Sequence, residues 1–166
     1  MRLIFIIIPS IICFMSCSVI GQTIQSIKPE NVRLTVSKQQ EENFNNFIKF
    51  LDQQESFKLI KDSIKNAYVI AFVAMKENDY DKYVIYNKRV GEILEKLSRK
   101  QKDEILEFFK TLVPPEFDET KVPVGSCKVS CLFGSCEITC PDGSKPKCRC
   151  EWYGAPDGSC EPYNPN

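Results

Sequence analysis

The sequence predicts an α+β protein whose two kinds of structure are segregated along the chain: a small helical bundle, then a small disulfide-rich, turn-rich module. Three observations predict it. Apolar residues recur at helical spacing from about residue 37 to residue 112, a stretch without cysteine. Seven of the nine cysteines crowd into residues 127 to 160. Between these halves, Val113 to Pro123 is rich in proline and acid and reads as an extended connector. The chain divides accordingly into a signal segment (1–21), a helical domain (22–112), a linker (113–123) and a cysteine-rich module (124–166).

The first 21 residues have the order of a secretory signal: one basic residue, Arg2, then an apolar run from Leu3, then small residues ending at Gly21. Cleavage there makes Gln22 the first mature residue. Pro9 and the polar tail argue against an uncleaved membrane anchor. Phe14-Met15-Ser16-Cys17 resembles a bacterial lipobox, with Cys17 as the candidate lipidation site, although Phe14 and Met15 depart from the usual residues of that motif. The mature protein is expected to start at Gln22 or Cys17. A lipid on Cys17 would be its only tie to a membrane.

Val32, Leu34 and Val36 alternate with Arg33 and Thr35, the period of a short strand. Ser37 with Gln40 then forms a capping box, and Phe44, Phe47, Ile48 and Leu51 fall on one helix face. A break is expected around Gln54 to Ser56. Beyond it Phe57, Ile60, Ile64, Tyr68, Ala71 and Met75 continue at helical spacing. The run Ala67 to Met75 is apolar on every side, which suits a central bundle helix or a contact with a partner or membrane; it is too short to span a bilayer. Asp79 is a candidate cap for a third stripe through Tyr83, Tyr86, Val90, Ile93, Leu94 and Leu97, interrupted by Gly91. Ser98 with Gln101 repeats the capping box before Ile105, Leu106, Phe109 and Leu112, and Pro114-Pro115 closes the pattern. Having its own stripes and caps, this half is expected to fold without the other.

The cysteines Cys127, Cys131, Cys136, Cys140, Cys148, Cys150 and Cys160 are denser than the composition that marks a disulfide scaffold. So few apolar residues lie among them that cross-links have to supply the stability. Zinc is the competing reading, disfavoured because no Cys-x₂-Cys knuckle and no histidine occurs. Export to an oxidising compartment also favours disulfides. Pro-Asp-Gly-Ser occurs twice, at 141–144 and 156–159, and each copy has turn chemistry. Trp152, Tyr153 and Tyr163 are candidate contact aromatics for a protein or glycan partner, or else a cover for the disulfides.

The run Cys131-x₄-Cys136-x₃-Cys140-x₇-Cys148-x-Cys150-x₉-Cys160 resembles the six-cysteine order of EGF-like domains. The glycine and aromatic positions after the fifth cysteine depart from that family, and no acidic calcium consensus directly precedes Cys131. The resemblance implies pairs Cys131–Cys140, Cys136–Cys148 and Cys150–Cys160. It leaves Cys127 as the free thiol, or as an interchain bridge linking two copies. The signal segment and Gly134 to Gly143 look like parts of exported cysteine-rich proteins of Bacteroidota-type bacteria.

Function is bounded mostly by exclusion. The 166 residues carry 22 basic and 22 acidic side chains, so there is no basic excess to bind nucleic acid. With no histidine there is no Ser-His-Asp triad, Cys-His dyad or HExxH helix. No phosphate loop or nucleophile elbow occurs, and no catalytic residue, metal or cofactor is expected. The expectation is an exported binding protein with a helical body and a disulfide-stapled recognition module. A secreted effector or protease inhibitor and a structural surface lipoprotein are the alternatives.

Overall fold

The computed structural model describes residues 27–115 and 122–162. Four helices and a set of small antiparallel sheets stapled by three disulfides make a segregated α+β fold, as the sequence predicts. The signal segment, Cys17 and Tyr163 lie outside the described residues.

Strand β1 (Asn31–Thr35) leads into helix α1 (Lys38–Gln53). The capping box at its start is complete. Ser37 Oγ accepts from Gln40 N at 3.2 Å, and Gln40 Oε1 accepts from Ser37 N at 2.8 Å. Helix α1 ends where Gln54 turns extended, and a 3₁₀ turn over Glu55–Phe57 makes the expected break. Helix α2 (Lys61–Lys76) buries Ile64, Ala67, Tyr68, Ala71, Phe72, Ala74 and Met75 and leaves only Val69 and Val73 of its apolar run exposed. Asn78, at φ +55°, uses Oδ1 to accept from Leu34 N at 2.7 Å, fixing the α2–α3 corner against β1. Asp79 caps helix α3 (Tyr80–Glu95). A second complete capping box, Ser98 with Gln101, starts helix α4 (Arg99–Phe109). This last helix stops three residues before the expected Leu112, but Leu112 is still buried.

Strands β2 (Ser126–Cys131) and β3 (Gly134–Thr139) form a hairpin, and β1 joins the far edge of β3, giving the order β1-β3-β2. Leu34 and Val129 flank Cys136 across this sheet. Strands β4 (Ser144–Cys150) and β5 (Pro156–Pro162) form a second, two-stranded sheet. The first Pro-Asp-Gly-Ser tetrad is a turn, with Gly143 at φ +80° and Ser144 N donating to Pro141 O at 3.1 Å. The second is not: Pro156-Asp157-Gly158-Ser159 lies extended inside β5, paired with β4. The chain reverses one step earlier, where Gly154 at φ +82° closes a turn on Glu151 O at 2.9 Å. Gly supplies that conformation at no steric cost.

The two halves share their apolar interior. Phe44, Phe47, Leu51, Phe57, Tyr68, Phe72, Val90, Leu94 and Phe109 from the helices surround Phe133, Tyr153 and Ala155 from the cysteine half. Phe133 lies in the two-residue turn of the β2–β3 hairpin, so the hairpin plugs its tip into the bundle. A second cluster joins Ala71, Ala74, Met75 and Tyr83 to Leu34, Cys136, Ile138, Cys140 and Cys160. Buried polar groups tie the same seam. Gln40 Nε2 donates to Cys131 O at 2.9 Å and to Ser135 Oγ at 3.0 Å, and Asn43 Nδ2 donates to Leu132 O at 3.3 Å.

The disulfides are Cys127–Cys148, Cys131–Cys150 and Cys140–Cys160. This corrects the EGF-like pairing and the assignment of Cys127 as the free thiol. The unpaired cysteine is Cys136, which is buried. The pairing follows from the sheets. Cys127 and Cys131 lie in β2 and Cys140 just beyond β3, while their partners lie in β4 and β5, so every bridge ties one sheet to the other. Cys136 has no sulfur opposite it. It faces Gly158, where an added Cβ would stand 2.9 Å from its Sγ. With Cys127 bridged in its own chain, no thiol is left there to link two copies.

Candidate contact surface around Trp152

The β4–β5 turn carries two of the three candidate contact aromatics, and the structure separates their roles. Tyr153 is buried. Its hydroxyl donates to Asn87 O at 3.4 Å, and its own carbonyl accepts from Tyr68 Oη at 3.0 Å. It is a core residue, which corrects its reading as a contact aromatic. Gly91, the interruption in the α3 stripe, makes room for it: an added Cβ would lie 3.5 Å from the Tyr153 hydroxyl. Trp152 stays half-buried, edge-on to Tyr153 with ring centroids 5.8 Å apart.

Trp152 stands between two open grooves. One, of about 480 Å³, runs along α4 between Leu106, Phe109, Lys110 and Leu132. The other, of about 620 Å³, runs along α3 past Gly91, Glu92, Glu95 and Lys96. A third and larger groove, of about 780 Å³, lies between α1 and α4 where Phe50 and Phe108 stack at 4.3 Å, and involves no residue of the cysteine half.

The tyrosines of α3 join the helices to the second sheet. Tyr80 Oη donates to Gly158 O at 2.9 Å, and Tyr83 Oη donates to Pro156 O. Burial pushes the Tyr80 hydroxyl up to about 12 and the Tyr83 hydroxyl well above its ordinary range, so both stay protonated donors. Beside them Arg149 is held by two carboxylates. Its Nη2 is 2.8 Å from Glu151 Oε1 and its Nε is 3.3 Å from Asp157 Oδ2; Glu151 above all keeps the guanidinium charged. Burial pushes the Cys136 thiol up to about 12, so it is neither thiolate nor accessible nucleophile at neutral pH.

Several of these residues escaped the sequence reading. Asn87 interrupts the apolar stripe of α3 at a core-facing position between Tyr83 and Val90, and that was a legible signal. Arg149, Glu151 and Asp157 had none, because their meeting depends on the β4–β5 register. Among the described residues no group of three or more His, Cys, Asp or Glu is placed to hold a metal ion, and no helix is long and apolar enough to cross a membrane. Compared with known protein families, curated proteins and solved structures, the chain matches none.

Proposed function

We propose that this is an exported binding protein whose recognition surface centres on Trp152 and whose partner is a protein. The observation that carries the reading is the placement of Trp152: a half-buried indole on a rigid turn, with an open groove on each side. Trp is enriched among the residues that dominate binding energy, and a ring already packed on one side loses little freedom when a partner covers the other. The disulfides and the fused core hold the turn in place, and three bridges suit an oxidising, extracytoplasmic compartment. The helical half holds the turn rather than acting as a separate body.

The test places a photo-cross-linking residue at Glu107, on the rim of the α4 groove, and in a second protein at Leu59, which is 98% exposed and contacts neither groove. The expected result in the native extracellular fraction is one adduct from position 107 that unlabelled protein competes away and the Trp152→Ala protein does not. Equal adducts from both positions overturn the contact reading. Intact mass of the native protein checks export separately: a chain beginning at Gln22 or at a lipidated Cys17 supports it, and one beginning at Met1 overturns it.

A further inference from the structure

On the opposite side of the β4–β5 turn from the α4 groove, a small cleft of about 190 Å³ lies between α3 and the second sheet. At about 30 Å³ per molecule it has room for about six waters, and it is smaller than a pocket for a drug-sized ligand. Asn87 borders it and is 7% exposed. Its Oδ1 is the one buried side-chain oxygen or nitrogen among the described residues without a hydrogen-bond partner. Such an atom carries a desolvation cost that a hydrogen-bonded oxygen does not. The nearby tyrosine hydroxyls do not relieve it. Tyr80 and Tyr83 donate to the backbone of β5, and Tyr153 donates to the backbone carbonyl of Asn87 rather than to its side chain.

The rest of the lining supplies both halves of a hydrogen-bonding site. Arg149 offers donors beyond those its two ion pairs use, since a guanidinium has five N–H groups, and Glu151 and Asp157 offer acceptor oxygens. Lys88 completes the border, so its formal charges are two positive and two negative. The half-buried ring of Tyr80 adds apolar wall.

We infer that this cleft binds one neutral sugar ring, free or at the end of a glycan. Sugar hydroxyls donate and accept, so a single ring can give a hydrogen to Asn87 Oδ1, accept from Arg149 and lay its C–H face on a tyrosine. Oδ1 is closed to solvent in this rotamer, so the contact requires Asn87 to turn about its soft χ2 torsion as the ligand enters. The balanced lining disfavours charged ligands: an amine meets Arg149 and Lys88, an acid meets Glu151 and Asp157. This site adjoins the α3 groove beside Trp152, sharing Lys88, Glu151 and Tyr153 with it, but it takes a different class of ligand and its binding does not require the protein partner.

The structure also supplies a variant that separates ligand binding from folding. Replacing Asn87 with Leu removes the unsatisfied acceptor and improves helix propensity, so Asn87→Leu is expected to melt at the same temperature as the parent or higher. The test uses the full oxidised chain and amide chemical shifts, titrated with the methyl glycosides of glucose, galactose and mannose, with glucosamine and glucuronate as charged controls. An array of neutral immobilised oligosaccharides is probed in parallel. A neutral glycoside that shifts Asn87, Tyr80 and Asp157 supports a monosaccharide site, and array binding without a response to free glycosides assigns the site to glycan ends. Asn87→Leu and Asp157→Asn should each weaken binding about tenfold or more. No binding in either arm, tighter binding of a charged control, unchanged binding by Asn87→Leu, or a loss of stability in Asn87→Leu overturns the inference.

Discussion

Replacing Phe133 with Ala tests whether the two halves are one folding unit. The ring is 2% exposed and lies among four others: Phe47 at 5.3 Å between centroids, Phe109 at 5.4 Å, and Phe44 and Tyr68 each at 5.9 Å. Truncating a buried Phe to Ala costs about 3–5 kcal/mol, and losing edge and stacking contacts to four rings puts this site near the top of that range. Whole domains are stable by only about 5–15 kcal/mol, so the loss is a large fraction of the total. With a urea m-value of about 2 kcal/mol/M, the midpoint should fall by about 2 M. The chain has its own pair of probes. Ellipticity at 222 nm follows the helices, and Trp152, the single tryptophan, follows the cysteine half. Both probes should give one coincident transition in the parent protein and shift together in Phe133→Ala. A fluorescence midpoint that moves while the helix midpoint stays put would refute the shared core. So would a common shift worth less than about 1 kcal/mol.

The isolated 22–115 fragment lacks Phe133, Tyr153, Ala155 and the partner strand of β1, so it should give a broad, weakly helical thermal melt. A sharp sigmoidal melt would restore the expectation that the helices fold alone. Peptide mapping after alkylation of the denatured, unreduced protein should label Cys136 alone and recover the three bridged pairs; no label should enter before denaturation. Stability should fall as the solution is made alkaline, and Cys136 should account for a defined part of the fall. Burial first, then the Asp157 and Glu137 charges, raise its thiol from 9.0 to about 12, so the neutral form is held only in the folded state. That contribution is fully present below pH 9 and is lost between pH 9 and 12 at about 1.4 kcal/mol per pH unit. Parent and Cys136→Val proteins should therefore differ by that slope in denaturant midpoints converted to free energy. Parallel curves would mean the thiol is not buried as a neutral group.

What could be read from the sequence was local. The two capping boxes, the Asp79 cap and the β1 alternation each depend on residues a few positions apart, and each is present. The run Ala67 to Met75 read as a central helix because apolar residues on every side have to be covered. The reading ran out wherever distant segments meet. The β2–β3 turn is Leu132-Phe133, without the Asn or Gly that usually mark a two-residue hairpin, so neither the turn nor its plug into the helices could be seen. The second Pro-Asp-Gly-Ser keeps its turn chemistry but lies extended, because pairing with β4 outweighs local preference. Cysteine spacing suggested a pairing by likeness, whereas the actual pairs depend on which strands lie across from each other between two sheets. Tyr153 was read beside Trp152 as a contact residue; the turn sends one ring inward and leaves the other half out.

The position of β1 has a consequence for how the chain matures. Its register partner, from Thr139 opposite Asn31 to Ser135 opposite Thr35, is made about a hundred residues later, so this early strand waits for almost the whole chain before it can dock. Once the later strands exist but before β1 docks, seven thiols lie within one short segment, and three bridges can be drawn among them in roughly a hundred ways. Cys136 is the member able to keep such a set exchanging, because a free thiolate attacks finished disulfides. When β1 closes over β3, Leu34 comes to rest beside Cys136, and the last exchanger is withdrawn from solvent. The loss of Cys136 reactivity is therefore expected to report the docking of β1.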